Sequence, residues 1–298
     1  MSIKKHTFMI AAGGEMLQVC RFHPPELEED GAAPTLVLLH EALGSIEQWR
    51  DFPQALVAAT GLPALVYDRC GFGGSQPLML PRGGDFFDRE LLSLDDLLQS
   101  CGVKRPLLFG HSDGATLALL YAAAYPDRPL AVVSEAAHLF VEEETLSGIL
   151  EAVQRWQNSD LRERLERYHG EKTESVFAAW AEAWLDPAFR NWNIEAQMKL
   201  IRCPVLAIQG ESDQFGTIRQ LQAISSGVSG RCRSRLLPGC GHTPHREARG
   251  EVLAETAAFV SELTNRSKTT DFATVSGRLL TGTEKDEQDA HDHTEERY

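Results

Sequence analysis

The Gly-His-Ser-Asp-Gly segment at residues 110–114 holds a serine between two glycines, and a carboxylate and an imidazole follow later in the chain. A serine hydroxyl is a weak nucleophile unless a base takes its proton, and that base needs a third group to hold its tautomer. Asp213 and His242 each come just after a predicted strand and are candidates for these two roles. The three residue types predict nucleophilic catalysis at Ser112.

Gly-x-Ser-x-Gly alone often occurs by chance, so the flanking segments decide its meaning. A buried strand is predicted over residues 105–109 and an alanine-rich helix over 116–125. Strand, tight turn and helix in this order are typical of a nucleophile elbow, in which a strained serine presents its hydroxyl above the sheet. Gly110 and Gly114 would let the strand and the helix pass closely around Ser112.

Apolar segments of strand length alternate with segments of helical spacing along most of the chain. A hairpin is predicted around residues 13–14, buried strands over 35–39, 64–67 and 105–109, and further strands over 130–134, 204–208 and 233–237. Helices are predicted over 46–60, 88–100, 116–125, 218–225 and 246–263. The alternation predicts an α/β fold with a mostly parallel sheet covered by helices on both faces.

Two segments depart from this alternation. Residues 140–201 contain helical stretches rich in charge and tryptophan but no strand pattern, which predicts a helical cap inserted over the sheet. Beyond residue 266 the chain has too few apolar residues to offset the entropy of ordering. We expect a single domain over residues 1–266 and an acidic, disordered tail over 267–298.

Composition limits the partners and the compartment. The formal net charge is −14, of which residues 284–298 carry −5, and an acidic surface argues against nucleic acid and anionic membranes as partners. The six cysteines lack the paired spacing of a zinc site or a disulfide framework. No export signal and no apolar run of 18 residues is evident. A cytoplasmic protein is expected, and its oligomeric state is not indicated.

The chain resembles the α/β-hydrolase family over residues 8 to 264. His-Glu-Ala-Leu-Gly-Ser at 40–45 resembles the family's oxyanion loop, residues 68–75 its Asp-x-x-Gly-x-Gly-x-Ser turn, and Gly241-His242 the segment of its catalytic histidine. The chain order serine, aspartate, histidine is also that of the family's triads. Residues 112–114 and 140–142 are similar to the biphenyl-hydrolase-like branch, which includes valacyclovir hydrolase.

This resemblance implies a serine hydrolase that acts on small carboxylic esters through an acyl-enzyme. Ser112 would attack the carbonyl carbon, His242 would take and return the proton, and Asp213 would orient His242. The backbone N–H groups of Ala42 and Asp113 would hold the oxyanion. No metal ion or organic cofactor is implied.

Other functions remain open at this point. Lactones, thioesters and carbon–carbon bonds of ring-fission products can be cleaved by the same triad, and the fold cannot choose among them. Haloalkane dehalogenation and epoxide opening need an aspartate where Ser112 stands, so these reactions are excluded. A non-catalytic binding protein on a hydrolase scaffold is the alternative of another class. Such a protein would not be labelled by a fluorophosphonate.

Nearby residues compete for the base and acid roles. His245 lies three residues past His242, but His242 directly follows the glycine turn and is preferred. Glu211 and Glu135 also follow predicted strands, and Asp213 is preferred to both.

Acidic residues flank the predicted oxyanion hole. Glu41 stands where the family has glycine, and we expect it either to point away from the oxyanion hole or to be neutralised by Arg69. Glu41 and Asp113 could together bind the ammonium group of an amino-acid ester, whereas Asp113 is also explained by its place in the first turn of a helix. His40 and His111 are expected to be packing or hydrogen-bonding residues.

Aromatic residues of the cap are candidates for contact with the substrate. Tryptophans at helical spacing also commonly pack helices together, so both interpretations stand. The candidates for a pocket are His138, Trp180, Trp184 and Trp192.

Overall fold

The computed structural model describes residues 2–27, 33–78, 83 and 85–279, with side chains up to residue 265. The chain divides into two compact units, Met1–Ala257 and Ala258–Tyr298. Among the described residues, no helix combines the length and the apolar character that a membrane span requires. All six cysteines are free thiols.

The first unit is built on a sheet that has eight strands within the described residues. They are β1 (Lys4–Ala12), β2 (Glu15–His23), β3 (Thr35–Leu39), β4 (Ala64–Tyr67), β5 (Pro106–His111), β6 (Ala131–Glu135), β7 (Val205–Gly210) and β8 (Cys232–Leu237). Their spatial order is β1-β2-β4-β3-β5-β6-β7-β8. β1 pairs antiparallel with β2 and β2 with β4, whereas all pairs from β4 to β8 are parallel. The predicted α/β fold is confirmed.

Ten helices alternate with or follow the strands in the described part. They are α1 (Phe52–Thr60), α2 (Phe86–Ser100), α3 (Asp113–Ala124), α4 (Glu143–Asn158), α5 (Leu161–His169), α6 (Thr173–Leu185), α7 (Glu195–Met198), α8 (Ile218–Gly227), α9 (Pro244–Glu247) and α10 (Arg249–Leu279). Helices α4 to α7 lie between β6 and β7, in the segment where the sequence predicts a cap. α4 is amphipathic: Thr145, Ile149 and Ala152 are buried at helical spacing.

Boundaries differ from the predictions where the local signal is weak. Residues 4–6 of β1 are polar and exposed, so they lack the alternation that marks a half-buried strand, although they pair with β2. α3 begins at Asp113, directly after Ser112, because the elbow turns from strand to helix without a loop. α10 continues past residue 266 into the predicted tail. Residues 280–298 lie outside the described part, so a disordered tail stays a prediction.

Two glycines allow the close packing of strand and helix at Ser112. A Cβ atom on Gly110 would lie 2.2 Å from the carbonyl oxygen of Gly114, and a Cβ on Gly114 would lie 2.1 Å from the carbonyl oxygen of Leu39. These separations are much shorter than a van der Waals contact, so a side chain at either position would clash with the backbone. The two glycines therefore allow the start of α3 to pack against the end of β3.

Gly114→Ala is expected to destabilise the protein by about 1 to 3 kcal/mol, because the added methyl group meets backbone atoms of β3 that cannot move aside. Urea denaturation should show a lower midpoint with an unchanged slope. Gly250→Ala is the matched control: a Cβ there meets nothing within 4 Å, and the change should be neutral or stabilising by up to about 1 kcal/mol. A Gly114→Ala protein as stable as the wild type would contradict the packing argument.

Candidate active site

Ser112, His242 and Asp213 lie together at the carboxyl ends of the parallel strands. Ser112 stands between β5 and α3 with φ 53° and ψ −120°, a left-handed conformation that a serine rarely adopts. Its Oγ lies 2.9 Å from Nε2 of His242, and Nδ1 of His242 lies 2.8 and 2.9 Å from the two carboxylate oxygens of Asp213. The three residues selected from the sequence thus form one continuous chain of hydrogen bonds.

Asp213 is held as a buried carboxylate. The Phe215 N–H donates to its Oδ1 at 2.8 Å and the Gln209 side-chain amide donates to its Oδ2 at 2.5 Å. Burial raises the pKa of Asp213. The electrostatic attraction of His242 and the hydrogen bonds from His242 and Phe215 lower it by more than burial raises it, so the net pKa lies below its usual value. Because a carboxylate only accepts, Nδ1 of His242 carries the proton. Nε2 is therefore free to accept from the Ser112 hydroxyl.

A cavity of about 200 Å³ opens on Ser112 and His242. Ala42 and Asp113, whose N–H groups are the predicted oxyanion donors, also line it. The loop that carries Ala42 is fixed by His40, whose Nδ1–H donates to the Glu41 carbonyl at 2.7 Å and whose Nε2 accepts from the Arg69 N–H at 3.1 Å. Burial, followed by the charge of Arg69, lowers the pKa of His40 to about 3, so it is neutral. His40 has a structural role, as expected.

The cap forms the other wall of this cavity. Trp180 and Trp184 of α6 line it, together with residues that the sequence analysis did not select: Thr145, Ile149, Ala152, Arg155, Leu161 and Phe215. Ile149 and Ala152 are on the buried face of α4, and only the amphipathic spacing of that helix could have indicated them. Phe215 lies two residues past Asp213. Trp192 is not among the lining residues. It stacks on Phe87 and Phe189, so the pocket interpretation of Trp192 is corrected to helix packing.

The cap is tied to the loops of the sheet by two polar residues. Lys172 donates to the carbonyl oxygens of Phe72, Gly73 and Ser75. His169 accepts from the Gly73 N–H at 3.1 Å and donates to the Leu43 carbonyl at 3.0 Å. Leu43 follows Ala42 directly, so this contact from the predicted cap helps to hold the predicted oxyanion loop.

His138 lies beside the catalytic candidates, as a substrate-binding residue would. Its ring is buried against His242 and Trp184, with ring centroids 5.8 and 5.3 Å apart, and it lines the cavity. Within the described residues, its Nδ1 has no hydrogen-bond partner. Burial and the nearby His242 lower the pKa of His138 to about 3, so the ring is neutral.

The competing acids and base have other partners. Nδ1 of His245 lies 2.7 Å from a carboxylate oxygen of Glu135, and both side chains are buried. Glu211 accepts the Gly239 N–H at 3.2 Å. None of these three lines the cavity at Ser112. Their hydrogen bonds explain them as structural residues.

Glu41 is paired differently from the expectation. Arg69 donates to Glu90 at 2.5 Å and to the backbone carbonyl of Glu41 at 2.8 Å, rather than to the Glu41 carboxylate. That carboxylate lies 3.5 Å from Nδ1 of His111. The partner of the Glu41 carboxylate is thus corrected from Arg69 to His111, a histidine for which the sequence predicts a packing or hydrogen-bonding role.

One group of side chains in the described part has the composition of a metal site. Ligand atoms of His111, Glu135 and His245 lie within 4.8 Å of one another, and all three residues are buried. Nδ1 of His245 is hydrogen-bonded to Oε2 of Glu135, and Nε2 of His111 to the backbone carbonyl of His242. These contacts account for one nitrogen of each histidine, whereas Oε1 of Glu135 has no hydrogen-bond partner within the described residues.

The α/β-hydrolase fold model matches residues 34–199, more than half of the chain. The chain belongs to the α/β-hydrolase family. It is similar to the human serine hydrolase BPHL, with 30% identity over 190 residues, which are 61% of this chain and 63% of that protein. The chain thus spans less than two thirds of the length of this relative.

Two further proteins are similar to this chain. The 2-succinyl-6-hydroxy-2,4-cyclohexadiene-1-carboxylate synthase of Enterobacter sp. (strain 638) is 26% identical over 246 residues, 74% of this chain and 89% of that protein. The solved 2-hydroxy-6-oxo-6-phenylhexa-2,4-dienoate hydrolase from Rhodococcus sp. strain RHA1 has a TM-score of 0.69 at 16% identity, and the match covers 86% of this chain and 99% of that one. This structural likeness concerns the fold alone.

Proposed function

We propose that the protein hydrolyses small carboxylic esters through an acyl-enzyme on Ser112. The observation that carries the proposal is the hydrogen-bonded chain from Ser112 through His242 to the buried Asp213, which opens on a cavity. The similarity to a serine hydrolase supports the same chemistry. A small-molecule substrate, a cytoplasmic location and the absence of nucleic-acid and membrane partners stay predictions from composition.

In the first half of the reaction, Oγ of Ser112 attacks the carbonyl carbon while Nε2 of His242 takes the hydroxyl proton. The N–H groups of Ala42 and Asp113 stabilise the negative charge that develops on the carbonyl oxygen. The carbon–oxygen bond to the alcohol then breaks, and His242 gives its proton to the leaving alkoxide. Water repeats these steps on the acyl-enzyme, with His242 as base, and releases the carboxylic acid.

The charges around the cavity favour an uncharged ester. The carboxylate of Glu41 lies against His111. Burial lowers the pKa of Arg69, but the charges of Glu90 and Asp113 raise it more, so Asp113 has a cationic neighbour. Because Glu41 and Asp113 already face positive charge, neither carboxylate needs the ammonium group of a substrate to neutralise it. Trp180, Trp184 and the apolar face of α4 supply contacts for an acyl chain or an alcohol.

A substrate panel tests this proposal. We expect p-nitrophenyl esters of short acyl chains to be cleaved best, with rates falling as the chain outgrows the cavity, and we expect lactones and acyl thioesters to react more slowly. An amino-acid ester and its N-acetylated counterpart should react within a few-fold of each other. A strong preference for the free amine would instead indicate an ammonium site at Glu41 and Asp113. If a lactone or a thioester outranked every ester, the proposed substrate class would be wrong.

A further inference from the structure

We propose that His111 is a positioning residue that works as a cation: it compensates the charge of Glu41 beside the oxyanion hole and fixes the backbone of His242. This inference rests on the proposed function, because it concerns the same site. It assigns a role to the residue immediately before the nucleophile, and it explains how an acid is tolerated in the oxyanion loop.

The partners of His111 require both of its ring nitrogens to donate. Nε2 lies 2.7 Å from the backbone carbonyl oxygen of His242, and Nδ1 lies 3.5 Å from a carboxylate oxygen of Glu41. A carbonyl and a carboxylate can only accept hydrogen bonds. The ring therefore satisfies both neighbours only as the imidazolium, with a proton on each nitrogen.

Ionisable groups approach the ring from every element packed against it. They are Glu41 after β3, Glu135 at the end of β6, His138 beyond it, His242 after β8 and His245 in α9. Burial lowers the pKa of His111, but the hydrogen bond and charge of Glu41, the charge of Glu135 and the His242 carbonyl raise it more, and the net pKa is raised. The neighbouring His245 has a pKa lowered by burial, and that of His138 is lowered to about 3. Two carboxylates thus face this imidazolium, and Arg246 of α9 adds a second positive charge that acts on Glu41.

The turn after β3 directs the Glu41 carboxylate toward this cation. A Cβ on Gly44 would lie 2.4 Å from that carboxylate, so glycine at this position lets Glu41 fold over its own turn. The Glu41 side chain is 22% exposed and lines the cavity. Glu41 directly precedes Ala42, the residue of the predicted oxyanion donor. An uncompensated negative charge there would oppose the charge that develops on the substrate oxygen. Protonated His111 removes this opposition.

The sign of the pH effect follows from the raised pKa. As the pH rises through the pKa of His111, the ring loses its charge, Arg246 becomes the cation left to act on Glu41, and one ring nitrogen no longer donates. Hydrolysis should therefore fall on the alkaline side. In Glu41→Gln the charge to be compensated is gone, and the pKa of His111 should drop, because the hydrogen bond and the charge of Glu41 are what raise it most. The alkaline fall should then flatten.

The experiment follows the His111 ring by NMR in protein labelled with ¹⁵N-histidine, and measures kcat and KM for an ester against pH. Wild type should carry protons on both ring nitrogens near neutral pH and lose one at alkaline pH; Glu41→Gln should lose it at lower pH. Glu47→Gln removes an exposed carboxylate from the same segment between β3 and α1. It should change neither the titration of the His111 ring nor the fall of hydrolysis at alkaline pH. A ring titration that is the same in Glu41→Gln and in wild type overturns the proposal.

A second pair of variants tests the compensation directly. His111→Gln keeps a donor but no charge, and should lower kcat by about ten- to a hundredfold with little change in KM, less than the loss of a whole oxyanion donor. Adding Glu41→Gln should restore a large part of this loss, whereas a purely structural histidine would show no rescue. If the protein hydrolyses no ester, the proposed function fails but the NMR titration still decides the charge of His111.

Discussion

Replacing Ser112 by alanine is expected to lower kcat for ester hydrolysis by about 10⁴-fold or more, because no other group can form the acyl-enzyme. Labelling by a fluorophosphonate, in which Oγ of Ser112 displaces fluoride from phosphorus, should disappear at the same time. The fold should survive, since the one described hydrogen bond of this hydroxyl is to His242. Titration with p-nitrophenyl acetate, intact-mass spectrometry of the labelled protein and circular dichroism measure these three outcomes.

Ser134→Ala is the matched control for this variant. Ser134 is buried on the neighbouring strand β6, and its hydroxyl has no hydrogen-bond partner within the described part of the chain. Its removal should leave hydrolysis and labelling unchanged. Wild-type protein that hydrolyses esters yet takes no label at Ser112 would point to another nucleophile. Protein that neither hydrolyses esters nor takes the label would favour a binding protein on a hydrolase scaffold.

Asp213→Asn is expected to lower kcat by about 10³- to 10⁴-fold with little effect on KM. The carboxylate stabilises the imidazolium that forms on His242, and the neutral amide cannot. The Phe215 N–H requires an oxygen at the Oδ1 position, so the new amide nitrogen would take the place of Oδ2 and face the amide of Gln209, which also donates. The side chain would then be drawn away from the geometry that holds the Nδ1 proton. Steady-state kinetics across pH measure the loss.

Glu211→Gln is the control for the acid. The Glu211 carboxylate accepts one backbone N–H, from Gly239, and a glutamine oxygen can accept the same bond. Hydrolysis should stay within a few-fold of wild type. If Glu211→Gln, or the analogous Glu135→Gln, lowered kcat as far as Asp213→Asn does, the assignment of the acid would have to move to that residue.

The fold and the proximity of Ser112, Asp213 and His242 could be anticipated because their signals are local. Buried parallel strands are continuous apolar runs, and the carboxyl ends of such strands meet at one edge of the sheet. A serine, an aspartate and a histidine that each follow a strand must therefore lie near one another, whatever connects them. The same reasoning could not rank His245 and Glu135 below His242 and Asp213 on physical grounds, because these residues also follow strands.

Side-chain pairing across the chain could not be anticipated in this way. Trp184 and Trp192 have the same type and similar local spacing, yet Trp184 lines the cavity and Trp192 stacks on Phe87 and Phe189. Arg69 is a plausible partner of Glu41 from its charge, but it is occupied by Glu90. Which of two similar residues reaches the site depends on how α6 and the turn after β4 are rotated against the sheet.

The α/β order of elements, the elbow at residues 110–114 and the three residue types that follow strands are readable from the sequence, because each is encoded within a few consecutive residues. The electrostatics of the site depend on the folded chain. Residues 41, 111 and 242 are far apart in the chain, and their contact depends on the close approach that Gly114 and Gly44 permit. The charge of His111 follows from those two partners, because the protonation of a buried group depends on its neighbours in space.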